Sequence, residues 1–233
     1  MFVSTKKKAL ICGFIISVLL SFVNFAGKCD KISEKVFRLH IIANSDSRDD
    51  QELKLKVRDR ILNDFGKELM YVENLETSKK IVECNLEKIR AIAKEEIEKN
   101  GYDYEVSACI TDMYFDTRKY GKISLPAGYY NAVRITIGNA NGKNWWCVMF
   151  PPMCVPAAKG EHELENVLEN EEKSIVFNET QYEARFKTLE LFVLAEDFFQ
   201  NNIFKPISNI ISNFDLKYDF KISFCGQIIN IVN

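Results

Sequence analysis

The chain has 233 residues, 47% of them apolar, which is enough material for one domain with a substantial core, or for one domain with appendages. Lysine and arginine number 31 against 33 acids, so there is no basic excess to hold nucleic acid, and nucleic acid is excluded as an expected partner. The 7 cysteines are too sparse for a small disulfide-stapled scaffold, and none stands in a C-x-x-C pair, so no metal and no cofactor is expected.

Lys6, Lys7 and Lys8 precede a run from Ala9 to Ala26 that carries no charge. This is the layout of a secretory n-region and h-region, so export is expected. A signal peptide over 1–27 is the first reading. An uncleaved membrane anchor is the alternative, because the run approaches the length of a span while Gly13, Ser17, Ser21 and Asn24 soften it. Ala26 suits a cleavage point, whereas Asn24, two positions earlier, is larger than such a point prefers.

A core domain is expected over 33–155. Val36 to Ala43 reads as a short buried strand with Arg38 and His40 on one face. Asn44-Ser45-Asp46-Ser47 supplies four residues able to cap a helix starting near Arg48, with Asp49 and Asp50 in the first turn, where the helix dipole favours acids. Leu53, Val57, Ile61, Leu62 and Phe65 form the inward stripe of this helix, and Lys54, Lys56, Arg58 and Arg60 are expected in water. Calcium binding by Asp46, Asp49 and Asp50 is the competing reading, but the stretch lacks the glycine and spaced acids of a known calcium loop. A second helix is expected over 74–100, capped by Asn74, stopped at Gly101 and striped by Val82, Leu86, Ile89, Ala93 and Ile97. Tyr102, Tyr104, Val106, Ala108 and Ile110 then alternate with polar residues as a half-exposed strand, and Tyr120–Leu125 continues in strand pattern.

The densest stretch runs from Leu125 to Cys154. Val133, Ile135 and Ile137 alternate with Ala132, Arg134 and Thr136, and Asn139-Ala140-Asn141-Gly142 offers turn chemistry. A hairpin to a second strand, Asn144–Phe150, is the expectation. That strand is apolar on both faces, with Trp145, Cys147 and Met149 on one side and Trp146, Val148 and Phe150 on the other, so both faces should be covered. Pro151 and Pro152 remove two amide donors and end it. Cys147 and Cys154 are read as apolar thiols, with a bridge across the double proline as the alternative. The fold class implied is α+β, a mostly antiparallel sheet with helices packed on one face.

Beyond Cys154, residues 156–182 read as an acidic, flexible connection, because Glu161 to Glu183 carries Glu161, Glu163, Glu165, Glu169, Glu171, Glu172, Glu179 and Glu183 with only Lys173 opposing them, which suits a solvated segment; His162 within it reads as exposed. Residues 183–233 are expected to form C-terminal helix and strand elements docking on the core, with Phe186, Leu189, Phe192, Val193 and Phe199 and then Phe204, Ile207, Ile210, Ile211, Phe214, Tyr218, Phe220, Ile222 and Phe224 as the apolar positions. No H-E-x-x-H, G-x-S-x-G or glycine-rich phosphate loop occurs. The one enzyme case is a Cys147 and His40 dyad, both on expected strands, which would make the protein an exported envelope hydrolase. A thiol between Trp146 and Val148 lacks the cation that would activate it, so binding outranks catalysis.

The motifs Arg38-Leu39-His40-Ile41-Ile42-Ala43-Asn44-Ser45-Asp46-Ser47, Asp50-Gln51-x-Leu53-Lys54, Val57-Arg58-Asp59, Pro126-Ala127-Gly128-x-Tyr130, Arg134-Ile135-x-Ile137-Gly138 and Asn144-Trp145-Trp146-Cys147-Val148-x-Phe150-Pro151-Pro152-x-Cys154 stand in this order along the chain. Together they resemble the stage II sporulation protein R family of endospore-forming bacteria. The resemblance implies a signalling protein, without peptidase activity of its own, that leaves the forespore for the intermembrane space. There it would activate a membrane-embedded aspartic protease that processes the precursor of sporulation sigma factor E, and it would touch the membrane only through its own N-terminal segment. For the receptor contact, the expected residues are Asn139, Asn141, Gly142 and Asn144 of the hairpin with Trp145 or Trp146, because aromatic anchors dominate many interfaces. Both tryptophans as core residues is the competing reading, and for Arg38, Asn44, Asp46, Arg58, Asp59 and Arg134 an ion-pair and capping network explains the residue types equally well.

Overall fold

The computed structural model describes residues 5–154, 160–199, 202, 205, 221–224 and 227–230. They fall into two compact units, one of residues 32–115 and 129–173 and the other of residues 1–31, 116–128 and 174–233. The fold is α+β, with a mostly antiparallel sheet and helices.

In the first of these units, β1 (Phe37–Ile42) is one of the two inner strands of a sheet ordered β2-β5-β1-β6, with β2 at Val106–Phe115, β5 at Gly128–Ile137 and β6 at Asn144–Phe150. β1 runs parallel to β5, with Leu39 beside Val133 and Ile41 beside Ile135, and antiparallel to β6, with Leu39 beside Cys147 and His40 beside Trp146. The expected hairpin between β5 and β6 is therefore not formed, because β1 lies between them. The physical reason is that all six residues of β1 are buried, so β1 needs a neighbour on each edge. The connection from Gly138 to Lys143 must then cross two strand spacings, roughly 10 Å, which a tight turn cannot do.

One sheet face packs on helices. Phe37, Leu39, Ile41, Val133, Ile135, Ile137, Cys147 and Met149 meet Leu53, Val57 and Ile61 of α2 (Arg48–Asp64) and Ile89, Ala93 and Ile97 of α5 (Leu86–Lys99) in one core. Each such aliphatic side chain, fully buried, contributes roughly 1.5–3 kcal/mol. α2 is capped as its sequence implies, with Ser47 Oγ accepting from Asp50 N at 3.2 Å. The short α3 (Gly66–Leu69) follows. The expected helix over 74–100 is two helices, α4 (Leu75–Cys84) and α5, because Asn85 leaves helical geometry at φ −115° and ψ 13° and its side-chain amide donates to the Ile81 carbonyl at 2.8 Å. Asn74 caps α4, accepting from Thr77 N at 2.8 Å.

The acidic stretch read as a solvated connection is helical where it is described, as α6 (Gly160–Val167) and α7 (Asn170–Phe177). Leu164, Leu168, Ile175 and Val176 are buried, and the acids occupy the remaining sides. Glu172, itself buried, accepts from Lys35 Nζ at 2.7 Å. His162 is exposed, 4.0 Å from Glu165.

The other unit holds α1 (Thr5–Glu34) as far as Lys31, β3 (Arg118–Tyr120) paired with β4 (Ile123–Leu125), α8 (Glu179–Phe199), and β7 (Lys221–Phe224) paired with β8 (Gln227–Asn230). Tyr120–Leu125 thus belongs to a separate two-stranded ribbon and does not join the main sheet. α1 passes through the boundary expected after residue 27 without a break; Phe25, Ala26 and Cys29 are buried, with Phe25 stacked on Tyr182 at 5.8 Å and beside Phe186 at 6.0 Å. Among the described residues no helix is long and apolar enough to cross a membrane. Leu189 is also buried, whereas the side chains of Phe192 and Phe199 and the residues Phe204, Ile207, Ile210, Ile211, Phe214, Tyr218 and Phe220 lie outside the described residues.

Candidate partner-binding site

The sequence motifs converge on one end of the sheet, where two loops are locked together. Asn44 holds the β5–β6 loop from below: its Oδ1 accepts from Asn139 N at 2.9 Å and its carbonyl from Asn141 N at 3.1 Å. Gly142 N donates to the Ala43 carbonyl at 3.0 Å, and Lys143 N to Asp46 Oδ1 at 2.7 Å. Gly138 sits at φ +56°, and a Cβ there would fall on the Asn44 side chain; a Cβ on Gly142 would fall on the Ser45 carbonyl. Both glycines are therefore required for the close approach of the loops.

Beneath the loops lies Asp50, buried, accepting from Asn44 Nδ2 at 2.9 Å and from Ser45 Oγ. Burial raises its pKa, but hydrogen bonds from Ser45, Asn44, Tyr104 and Ser47 outweigh that and hold the carboxyl below its ordinary range. Asp46 and Asp50 are thus engaged in loop and cap bonds, which accounts for the acids without calcium. Lys54, expected in water, is buried: its ammonium donates to Gln51 Oε1 at 2.6 Å and to the Lys143 carbonyl at 2.7 Å, and desolvation lowers its pKa. It stands three and seven positions before Val57 and Ile61, on the margin of the apolar stripe, and that spacing was the available signal.

The two tryptophans point to opposite faces of the sheet, and both are half-buried. Trp145 packs at the edge of the helical core, covered by the Arg58 guanidinium at 4.1 Å from the ring centre, and Arg58 is held by Asp59 at 2.7 Å. Trp146 stacks on His40 at 4.0 Å and meets Phe115 edge-on at 4.7 Å. On the same face the fully buried Arg38 lies over the rings of Phe115 at 4.0 Å and Tyr130 at 4.7 Å. This aromatic seat for Arg38 uses Phe115, which lies beyond the alternation read from the sequence. Arg134 is exposed on this face. Pro126, Gly128, Pro151 and Pro152 are all buried. Of the residues expected at the receptor contact, Asn139, Asn141 and Asn144 are exposed and Gly142 is half-buried.

Cys147 and Cys154 are joined as a disulfide with Cα atoms 6.3 Å apart, so the expectation of free thiols is corrected. The double proline turns the chain back on β6, and Val148 N points at Cys154 Sγ at 3.5 Å. Cys147 faces the helical core, whereas His40 faces the opposite side of the sheet against Trp146, so the proposed dyad is not assembled. Desolvation lowers the His40 pKa to about 4, which Asn144 opposes by a hydrogen bond and Arg134 and Lys54 reinforce by their charge.

The sequence model of the family described as Stage II sporulation protein R matches residues 33–160. The Stage II sporulation protein R of Bacillus subtilis (strain 168) is 37% identical over 159 residues, covering 64% of this chain and 71% of that protein. No solved structure matches the chain.

Proposed function

The chain belongs to the stage II sporulation protein R family, and we propose that it is an exported signal that activates a membrane-embedded aspartic protease, which then processes the precursor of sporulation sigma factor E. In this reading it is made in the forespore, delivered to the intermembrane space, and acts as a ligand without cleaving anything itself. It meets the membrane only through its N-terminal segment. Family membership carries the reading.

The geometry supports a binding role, because the motif residues build a rigid display surface. Asn44, Asp46 and the two loop glycines fix the β5–β6 loop, whose Asn139, Asn141 and Lys143 project into solvent. A pre-ordered loop loses little conformational entropy on docking, so more of its contact energy appears as affinity. Activation further requires that the ligand bind the active arrangement of the protease better than the inactive one. The test is co-expression of the exported chain with the protease and the sigma-factor precursor in a non-sporulating host, scoring precursor size.

A further inference from the structure

The sheet face opposite the helices carries charge of one sign. Along its four strands the basic side chains on that face are Arg38, His40 and Arg134, and no carboxylate stands among them. Arg38 is buried between aromatic rings and His40 lies under Trp146, both described above. Arg134 differs: it is exposed and forms no ion pair or hydrogen bond with any described residue.

The register fixes what surrounds it. His40 stands between Arg134 of β5 and Trp146 of β6. Glu105 accepts at its carbonyl from Gly138 N, and Asp112 accepts from the Asn131 side chain, so β2 runs antiparallel to β5 with Cys109 opposite Arg134. Cys109 is exposed, as is Asn144 at the end of β6. The result is a stretch of sheet, adjoining the locked loops, whose exposed side chains are Arg134, Cys109 and Asn144 around the buried His40 and Ile42. It offers one uncompensated guanidinium and an amide donor, and Glu105, at its margin, lies 4.0 Å from Lys94.

We propose that this stretch docks an extended, carboxylate-bearing segment of the partner protein, with Arg134 as the anchor. The inference rests on the reading that the chain acts by binding a protein partner, and it specifies the chemistry of the contact. A guanidinium presents a planar fork that matches a carboxylate bidentately. Because the site is exposed, the attraction is screened by salt and favours encounter and orientation more than tight binding. An anionic lipid surface fits less well, since such surfaces are held by clusters of several basic groups and this face exposes one.

Two arms test it. In the first, the full chain in a zwitterionic detergent, isotopically labelled, is titrated with acetylated hexaglutamate, with hexaglutamine and phosphatidylglycerol vesicles as comparisons. Expected are shifts centred on Arg134, Asn144 and the Trp146 indole, reduced by raised salt, absent with hexaglutamine and lost in Arg134→Ala. No shift at these residues, equal shifts with hexaglutamine, or response to the vesicles alone would overturn the proposal. In the second arm, precursor cleavage is scored in the co-expression host. Arg134→Glu, with its melting temperature unchanged, should lower cleavage at least about tenfold, while Arg134→Lys stays within about threefold of the parent chain. Full cleavage with a folded Arg134→Glu chain overturns the proposal. If the parent chain itself gives no cleavage, the protease reading fails and the first arm decides the site.

Discussion

The imidazole of His40 lies flat on the indole of Trp146, with ring centroids 4.0 Å apart and planes 5° from parallel. Such a stack excludes water from one side of the ring, and Arg134 and Lys54 add positive charge nearby, so the ring is held neutral with its pKa lowered to about 4. In the unfolded chain it titrates near 6.5. The unfolded state therefore binds more protons between these values, and stability rises with pH across that window. We expect stability to be flat above about pH 6.5 and to fall as the pH drops towards about 4, by at most about 3 kcal/mol. Asp50 has the opposite chemistry but its lowered pKa places its own loss below the ordinary carboxylate value, outside this window. Thermal unfolding from pH 7.5 to 4.5 checks this: His40→Phe should flatten the acid limb, and an unchanged slope would show that another group controls it.

The loop lock predicts a non-additive pair. Asn44→Ala leaves Asn139 N and part of the Asp50 carboxylate without their partner and should cost about 2–3 kcal/mol. Gly138→Ala should cost about 2 kcal/mol or more in the parent chain, because its Cβ meets the Asn44 side chain. In the Asn44→Ala background the contacts with Oδ1 and Cγ are gone, and the positive φ and a close approach to the remaining Cβ at 3.1 Å are left, so the cost should fall to about 1 kcal/mol. Simple additivity in the double-mutant cycle would mean that the two loops are not in this contact.

The disulfide predicts a redox-dependent pattern of thiol labelling. Cys84 and Cys109 are exposed and should react with an alkylating reagent in the native, oxidised chain, whereas Cys147 and Cys154 should react only after reduction. Closing so short a loop is worth about 2–3 kcal/mol by the chain-entropy estimate, so Cys154→Ser should unfold at correspondingly lower denaturant. Mass spectrometry of the non-reduced chain showing four reactive thiols among these positions would refute the pairing.

Display and core roles should separate among the motif residues. Trp146→Ala removes packing against His40 and Phe115 and should cost about 3 kcal/mol or more, while Trp145→Ala loses packing at the edge of the helical core together with the Arg58 contact and should cost about 2 kcal/mol or more. Asn139→Ala and Lys143→Ala remove exposed side chains whose backbone amides make the lock, so unfolding should shift by less than about 0.5 kcal/mol. If the loop is the contact surface, these last two lower precursor cleavage nonetheless, and intact cleavage would move the contact elsewhere.

The periodicities made much of this fold legible. The strand at 37–42, the helix beginning at Arg48, the Asn74 cap and the alternating β5 all follow from local pattern, because burial on one face imposes spacing that can be read. The strand order was not legible: Asn139 to Gly142 has hairpin chemistry, and only the burial of β1 on both faces forces β5 and β6 apart. The acidic stretch misled for a related reason, since Leu164, Leu168, Ile175 and Val176 are few among many glutamates yet suffice to seat two short helices. At the site, Asn44 and Asp46 were visible as possible caps, but their bonds to residues 139 and 143 are nearly a hundred positions apart in sequence. The burial of Lys54 and the part of Phe115 are not legible locally, because a lysine reads as solvated and Phe115 lies beyond the strand's clear alternation.

The measurement that bears most directly on the account is precursor cleavage in a non-sporulating host that makes the exported chain, the membrane-embedded aspartic protease and the sigma-factor precursor together. Conversion of the precursor to its shorter form only when this chain is present, and its loss with folded Asn139→Ala and Lys143→Ala variants, is the result predicted. An uncleaved precursor in the presence of folded, exported chain and a competent protease would contradict it.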